Sequence, residues 1–425
     1  MKREALEQGS ANRKTKGLVM ALRASTSNIS QLRRLEEFCK HMAEYPSTRG
    51  KAVKARAIPC LLKLRQNPDQ AIQELSMEAL SLVGYVDPVK GRGIRLLCLD
   101  GGGTRGLVTI EILKQLQECC GQEIHKMFDY VCGVSTGSLL AVMLSAFRVP
   151  LPETELLYKQ YSSQMFSRNK LMGVGKLFMS HSYYETDVWE KVLHESIGFK
   201  TFLESTRDPE CPKIGLVSSL MNVTHLQNFF FRNYTLPSGV HSHFPGSCNY
   251  ALWQGIRASS AAPGYFEEMK LGDWVHQDGG LITNNPTAIA LHECRLLWPK
   301  EKIQCVVSVG TGKYVPGLEA QPADSASLKT KVTKIVQSAT DTEAVHTTLQ
   351  DLLPPSSYFR LNPYLSQDFQ LDEIRKDQWD NMRHDTQMYC RKNTQKIEKA
   401  AQILLKTRMP HQKAQDWLKE QRDLL

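Results

Sequence analysis

Apolar side chains recur at helical spacing between residues 30 and 84, and the polar breaks YPSTRG and QNPD divide this segment into short helices. The pattern predicts a helical cap over residues 30–90 that packs on the next domain. An armadillo-like repeat is the alternative, and the segment is too short to test its period. Residues 1–29, rich in Lys, Arg and Ser, are expected to form a flexible basic tail. The apolar positions of the cap are Leu32, Leu35, Phe38, Met42, Ile58, Leu61, Leu62, Leu64, Leu75, Ala79, Leu80, Leu82 and Val83.

Beyond the hinge YVDPVKGRG, runs typical of β-strands alternate with helical patterns. The runs IRLLCLD, FDYVCGV, KIGLVSSL, NFFFRNY and QCVVSVG predict strands, while residues 107–120 and 136–147 predict helices. Such alternation favours an α/β fold with a mostly parallel central sheet and helices on both faces. We assign residues 91–313 to this core.

The last part of the chain follows two further patterns. VPGLEAQPADSAS, within residues 314–330, predicts an exposed loop. Residues 331–425 are charged and helical, which predicts a region that completes or covers the core. One apolar face of this region consists of Ile397, Ala400, Ile403 and Leu404.

The charge of the chain narrows the classes of partner. Its 425 residues carry a formal net charge of +9, which favours an anionic partner, either nucleic acid or a membrane surface. No zinc-finger spacing or RNA-recognition aromatic motif occurs, so nucleic acid is not the expected partner.

No apolar run approaches the roughly 18 residues that span a bilayer, and GSLLAVMLSAF is interpreted as a buried helix. The 11 cysteines form no C-x-x-C pair, and no apolar signal segment is evident, which indicates a reducing compartment.

A candidate nucleophile lies where the run FDYVCGV meets the next helix. Residues 133–137, GVSTG, form a G-x-S-x-G sequence with Ser135 at its centre. The bare motif is frequent by chance, but its strand-turn-helix context is that of a nucleophile elbow. In such an elbow, small neighbours let the strained turn pass close to adjacent elements.

Three consecutive glycines, Gly101 to Gly103, stand between the strand IRLLCLD and a helix. Their N–H groups could hold the oxyanion that forms when a serine attacks a carbonyl. In a parallel sheet this loop and Ser135 would share one edge. The loop also satisfies the dinucleotide-binding sequence G-x-G-x-x-G, but Glu123 does not end a second strand as that fold requires. Because GTGK at residues 310–313 lacks the rest of a phosphate-binding loop, nucleotide binding stays the minor alternative.

A serine nucleophile needs a base, and Asp278 is the candidate. It is followed by Gly279 and Gly280 after a short β-type run, and an ordinary Asp-Gly turn is the alternative interpretation. A carboxylate with an ordinary pKa of about 4 is a weak base. We therefore predict that burial raises the pKa of Asp278, or that a short hydrogen bond to Ser135 compensates. The histidines that could complete a triad are candidates by sequence order only: His292, His346 and His384.

DGGGTRG, GVSTG and DGG, in that order, resemble the patatin-like phospholipase family from about Ile94 to Lys313. The segments GYVDPVKGRGIR, IRASSAAPGYF, SATDTE and DLLPP extend the likeness to the calcium-independent gamma type, from about residue 30 nearly to the end. The resemblance implies a three-layer α/β fold with Ser135 as nucleophile and Asp278 as its base, without a histidine.

The resemblance also implies the parts around this dyad. Gly133 and Gly137 would be the elbow glycines. Arg105 is expected to anchor the glycine loop to backbone carbonyls, and contact with a lipid phosphate is the alternative. The implied oxyanion hole comprises Gly101, Gly102, Gly103, Thr104 and Arg105.

The activity that the resemblance implies is calcium-independent hydrolysis of glycerophospholipid acyl esters to lysophospholipid and free fatty acid. No metal or cofactor is expected. A triacylglycerol lipase or an acyltransferase with the same dyad is one alternative, and an inactive membrane-binding scaffold is another.

Such an enzyme must contact a membrane. Residues 165–179 interleave Arg168, Lys170 and Lys176 with apolar side chains, which favours a peripheral membrane surface, and a lid or core segment is an equal alternative. The family resemblance points to a mitochondrial, endoplasmic reticulum or peroxisomal membrane. The chain ends in QRDLL and not in the peroxisomal Ser-Lys-Leu signal, so targeting by that signal is not expected.

Overall fold

The computed structural model describes residues 2–167, 184–315 and 342–425. Within these ranges the centre of the fold is a nine-stranded mixed sheet. Its strands are β1 Ile94–Leu99, β2 Tyr130–Val134, β3 Lys213–Leu220, β4 Gln227–Arg232, β5 Gly246–Ser247, β6 Met269–Leu271, β7 Trp274–Asp278, β8 Ile303–Val309 and β9 Tyr358–Leu361. The strand order is β5-β4-β3-β2-β1-β8-β9, with β7 also paired to β3 and β6 to β7.

Most of the strand pairs are parallel. β1 lies parallel to β2 and β8, β2 to β3, β8 to β9, and β4 to β5. β4 and β7 run antiparallel to β3, and β6 runs antiparallel to β7. The expected α/β fold with a mostly parallel sheet is confirmed.

Helices cover both faces of the sheet. They are α1 Lys2–Ala24, α2 Asn28–Glu44, α3 Arg49–Lys54, α4 Ala57–Leu64, α5 Gln70–Leu82, α6 Gly106–Cys120, α7 Ile124–Met127, α8 Thr136–Ser145, α9 Leu151–Phe166, α10 Thr186–Ser196, α11 Leu252–Ser259, α12 Thr287–Leu297, α13 Thr342–Leu352, α14 Lys376–Lys392, α15 Thr394–Leu404 and α16 Pro410–Leu424. In the described residues, no helix combines the length and apolarity needed to cross a membrane.

The side chains of β1 alternate between two hydrophobic cores, as a strand buried on both faces requires. Leu97 and Leu99 join α6 and α8 on one face. Leu96 and Cys98 join α12 on the other. Every residue of α8 is buried, in agreement with a sequence that is mostly apolar and has no charged residue. The three-layer arrangement is thereby established.

The amino-terminal helices enclose a third core. The helices expected within residues 30–90 are present, with Leu35, Phe38 and Met42 of α2 fully buried. The flexible tail expected before them is wrong, because α1 forms a helix that buries Val19 and Leu22 in this core. Contacts with α2, α3 and α4 stabilise α1 there.

The carboxyl-terminal region is helical as expected, but it also contributes a strand. β9 pairs in parallel with β8 at the edge of the sheet, so this region completes the sheet as well as covering it. The run YFRL is only four residues long, which is too short for an alternating pattern to distinguish a strand from a loop. Residues 316–330 of the expected loop lie outside the described residues, as do Arg168, Lys170 and Lys176.

Candidate active site

Ser135 occupies a sharp turn between β2 and α8. Its backbone has φ 52° and ψ −121°, a conformation that a side chain makes costly and that clusters at functional sites. A Cβ at Gly133 would lie 2.2 Å from the carbonyl oxygen of Gly137, and one at Gly137 would lie 2.3 Å from that of Leu99. Close backbone approach therefore requires both glycines, and the local geometry is that of a nucleophile elbow.

The hydroxyl of Ser135 donates a hydrogen bond of 2.6 Å to Oδ2 of Asp278. Asp278 ends β7, and pairing with Ser218 of β3 sets its position along the sheet. Its second carboxylate oxygen, Oδ1, accepts the N–H of Gly280 at 2.7 Å. The structure thus brings together the two residues that lie 143 positions apart in the sequence.

Asp278 is only 6% exposed. Burial raises the pKa of its carboxyl to about 6, against the opposing effects of the hydrogen bonds from Ser135 and Gly280. The two features expected to make Asp278 an effective base, burial and a short hydrogen bond to Ser135, are both present.

Ser259, at the end of α11, fixes the backbone of the elbow. Its Oγ accepts the N–H of Ser135 at 2.9 Å and donates to the carbonyl of Val217 in β3 at 2.6 Å. The strained turn is therefore tied to the neighbouring strand. No local motif in the surrounding segment IRASSAAPGYF marks this serine, so the sequence alone gives it no role.

The glycine loop lies against Ser135, because a Cβ on Gly101 would be 3.0 Å from the Cβ of Ser135. Three of the five N–H groups proposed for the oxyanion hole already have carbonyl partners. Gly101 donates to Asn284, Thr104 to Leu371 and Arg105 to Gly102. Within the part of the chain that the structure describes, the N–H groups of Gly102 and Gly103 have no acceptor. The donor set that can bind an oxyanion thus narrows to these two.

Several side chains hold the loop in place. Arg105 Nε points at the Gly102 carbonyl at 3.4 Å, in line with the expected anchoring role. Thr311 Oγ1 donates to the Gly101 carbonyl at 3.0 Å. The hydroxyl of Tyr158 donates to the carbonyl of Gly103. These contacts keep the free N–H groups in a fixed position, which electrostatic stabilisation of a transition state requires.

Asp100, directly before the glycine loop, forms a buried ion pair with Arg360 of β9. The guanidinium donates to its two carboxylate oxygens at 3.0 and 2.6 Å. Burial works against the charge of Arg360, but Asp100 holds the pKa of the guanidinium above its usual value. This pair ties the carboxyl end of β1 to the edge strand.

No histidine among the described residues hydrogen-bonds to Ser135 or Asp278. His292 accepts the N–H of His243, and His346 contacts the hydroxyl of Tyr358. His276 lies two residues before Asp278, and it bonds to Ser218 at 2.9 Å. Burial lowers its pKa to about 4, so this imidazole is neutral at physiological pH.

The nucleotide-binding alternative gains no support from these contacts. Glu123 precedes the short helix α7 and does not follow a strand, and it lies within 4 Å of His125 and Lys126. Lys313 of the GTGK sequence is engaged by Glu343 at 2.7 Å. The glycine loop itself contacts the serine of the elbow.

The fold and the site place the chain among α/β proteins with a serine–aspartate pair at a nucleophile elbow. Residues 97–291 match the family model described as "Patatin-like phospholipase". Residues 97–291 are therefore a domain of the patatin-like phospholipase family.

Particular relatives extend this likeness beyond the matched domain. Calcium-independent phospholipase A2-gamma of Oryctolagus cuniculus is 46% identical over 98% of this chain and 53% of its own length. Phospholipase A I of Arabidopsis thaliana is 31% identical over 71% of this chain and 28% of its own length. Among solved structures, VipD from Legionella pneumophila matches with a TM-score of 0.33 and 14% identity, covering 71% of this chain and 67% of VipD. The chain spans about half the length of the gamma-type relatives that it matches.

Proposed function

We propose that this chain is a calcium-independent phospholipase A that cleaves fatty-acyl esters of glycerophospholipids through Ser135 and Asp278. The observation that carries the proposal is the 2.6 Å hydrogen bond between the Ser135 hydroxyl and the buried Asp278 carboxylate. The relatives named calcium-independent phospholipase A2-gamma and Phospholipase A I support the class of lipid and the independence from calcium.

The first step is acylation of the serine. Ser135 Oγ attacks the acyl carbonyl while its proton moves to Oδ2 of Asp278. Because the pKa of Asp278 is raised to about 6, this carboxylate is a stronger base than an ordinary aspartate and is still mostly ionised at pH 7. The proton then passes to the departing oxygen, so that lysophospholipid leaves and the acyl group stays on Ser135.

The second step is hydrolysis of the acyl-enzyme. Asp278 accepts a proton from water, the resulting hydroxide attacks the ester, and the proton returns to Ser135 as the fatty acid leaves. Each step develops negative charge on the carbonyl oxygen. The free N–H groups of Gly102 and Gly103 would stabilise this charge at a helix N-terminus, where the helix dipole is favourable.

The direct test is hydrolysis of mixed-acyl phosphatidylcholine vesicles in the presence of a calcium chelator, with the released fatty acid identified. Ser135→Ala should lose activity. Ser145→Ala is the matched control, since Ser145 is buried at the end of α8, the helix that follows Ser135, and its hydroxyl has no partner among the described residues. Activity in Ser135→Ala would contradict the proposal. No activity of the wild type on vesicles or on a triacylglycerol emulsion would favour the inactive scaffold.

Three exposed apolar side chains form a corner near the carboxyl end of β3, and they support a proposal of peripheral action at a lipid surface. Met221, Leu226 and Trp274, here named the hairpin corner, are 37%, 51% and 39% exposed. β3 pairs Leu220 with Gln227 of β4 and with His276 of β7, so all three corner residues lie just beyond the end of β3. They therefore project past the level of Asp278, on the edge of the sheet where the substrate would enter.

We propose that this corner inserts into the lipid interface, because aromatic and aliphatic side chains next to cations suit that environment. Lys270, exposed on the β6–β7 hairpin and paired with Val275, supplies a cation on the same hairpin as Trp274. For Arg168, Lys170 and Lys176, which lie outside the described residues, the proposal rests on their sequence pattern alone.

A further inference from the structure

A cavity lies at the amino end of the sheet, away from the elbow. It has a volume of about 490 Å³ and is bounded by α5, by the hinge before β1, and by residues just before β2 and β3. This volume falls in the range of small-molecule sites. Lys213 lies in its wall and begins β3, whereas Ser218, level with Asp278, lies five residues further along. At about 3.3 Å per residue the cavity and the dyad are about 16 Å apart along the strand.

The wall of this cavity has an apolar part. Phe128, Leu80 and Trp298 are all buried. Tyr85 contributes a ring and a hydroxyl. Burial raises the pKa of Tyr85 to about 12, so the hydroxyl keeps its proton and can donate to a ligand. It has no hydrogen-bond partner among the described residues.

Every carboxylate in the wall already has a cationic partner. The pairs are Asp87 with Arg65 at 2.7 Å, Asp129 with Arg95 at 2.9 Å and Asp208 with Arg148 at 3.1 Å. Their charges are therefore compensated within the protein.

Lys213 differs from these groups. Its ammonium makes no hydrogen bond and no ion pair within 4.0 Å of any residue that the structure describes. Burial lowers the pKa of this lysine, although Asp87 acts in the opposite direction. An unpaired, partly desolvated cation is unfavourable, and an anion placed beside it would compensate the lost solvation.

We propose that this cavity binds a small organic anion, a phosphate or carboxylate group on an apolar body, with Lys213 as its charge partner and the ring of Tyr85 against the body. The site is separate from the dyad and does not depend on the proposed phospholipase activity. Nothing in the catalytic account uses Lys213, Tyr85 or Trp298.

The cavity lies between two parts of the fold, the helical cap and the central sheet. Its occupant would contact α5 of the helical cap and the start of β3. β3 also carries Val217, which holds Ser259 behind the elbow. Binding would therefore stabilise the junction between the cap and the strand that supports the dyad.

Binding of phenyl phosphate to the full chain, measured by calorimetry, tests the proposal. Lys213→Met removes the charge and keeps most of the side-chain volume. Lys302→Met is the matched control, because Lys302 lies just before β8 at the same end of the sheet but does not line the cavity. We expect unchanged affinity in Lys302→Met and at least roughly tenfold weaker affinity in Lys213→Met, since a hydrogen bond to a charged group is lost.

Inorganic phosphate serves as a second probe for the apolar part of the site. It should bind more weakly than phenyl phosphate, and equal affinity would overturn the assignment of an apolar body. Equal affinity of phenyl phosphate for Lys213→Met and the wild type, or no binding by the wild type at millimolar concentration, would overturn the site itself.

Chemical labelling of lysine amines in the wild type gives a second readout. It needs no variant, so a change in folding does not affect it. At pH 8, acetic anhydride should modify Lys213 in the free protein, and phenyl phosphate should protect it while leaving Lys302 reactive. Peptide mass spectrometry measures both positions in one sample. Equal modification of Lys213 with and without the probe would contradict the proposal.

Discussion

Asp100 and Arg360, 260 residues apart, form a doubly hydrogen-bonded ion pair in which each side chain is almost fully buried. The pair joins the residue that follows β1, where the glycine loop begins, to the edge strand β9. Arg360 also donates to Ser308 of β8 at 3.0 Å. The position of the proposed oxyanion donors therefore depends on a strand at the far end of the chain.

Removing one partner of this pair should be strongly destabilising. Arg360→Met leaves the Asp100 carboxylate buried and uncompensated, and we expect the free energy of unfolding to fall by about 3–5 kcal/mol. Denaturant unfolding measures this change. Arg391→Met, an exposed arginine of α14, is the control. The double variant Asp100→Asn/Arg360→Met should recover part of the loss, and strictly additive losses would show that the two residues are not coupled.

The rate of hydrolysis should depend on the ionisation of Asp278. The carboxylate must be ionised to accept the serine proton, so kcat/KM should rise with pH and level off above the raised pKa of about 6. Below that pH the rate should fall about tenfold per pH unit. Asp273→Asn, on an exposed turn of the same hairpin, should keep the profile. A flat profile down to pH 4 would rule out a base with a raised pKa.

The same raised pKa predicts that the free energy of unfolding falls as the pH rises, whereas the rate of hydrolysis increases. The native state binds the Asp278 proton more tightly than the unfolded chain does, so ionisation destabilises the fold as pH rises from the ordinary aspartate pKa of 3.8 through about 6. Asp278→Asn should therefore be more stable than the wild type at pH 8, by up to about 3 kcal/mol, while being inactive. The difference should vanish below pH 4. Unfolding curves at the two pH values check this, and a less stable variant at pH 8 would contradict it.

Substitution in the glycine loop should impair catalysis more than folding. A Cβ on Gly102 would lie 2.2 Å from Thr311 Oγ1, so Gly102→Ala must shift the loop and its free N–H groups. Loss of one oxyanion donor lowers kcat by about 10²–10³-fold. Gly17→Ala, in open space within α1, is the control. An unchanged kcat in a folded Gly102→Ala protein would remove Gly102 from the proposed oxyanion hole.

The hairpin corner should contribute to membrane binding. Trp274→Ser and Leu226→Ser each remove apolar area that would enter the interface, and about 1.5–3 kcal/mol per buried side chain corresponds to at least tenfold weaker partitioning. Sedimentation with anionic vesicles measures this binding. Ile29→Ser, 84% exposed on the cap, should bind like the wild type. If all three variants bind equally well, another surface makes the contact.

The sequence predicted those features that local patterns encode. A strand followed by G-x-S-x-G identifies Ser135, and Asp278 stands out because two glycines follow a β-type run. The alternation of strands and helices was enough to place the glycine loop and Ser135 on one edge. The catalytic roles of these residues stay a proposal until the variants are measured.

Other parts of the site depend on contacts between distant residues, which no local pattern records. Ser259 bonds to Ser135 from 124 positions away, and nothing in its neighbourhood distinguishes it from Ser260. The pairing of Arg360 with Asp100 rests on β9, a strand too short to have a measurable period. The helix α1 was missed for a related reason, because its stability comes from burying Val19 and Leu22 against other helices.

Covalent trapping tests the dyad most directly. The wild type would be mixed with a synthetic phosphatidylcholine, quenched in acid within milliseconds to seconds, and mapped by peptide mass spectrometry. We expect one acyl group on the peptide that carries Ser135, absent in Ser135→Ala and present at normal level in Ser145→Ala. An acyl group on another residue, or full turnover by Ser135→Ala, would contradict it.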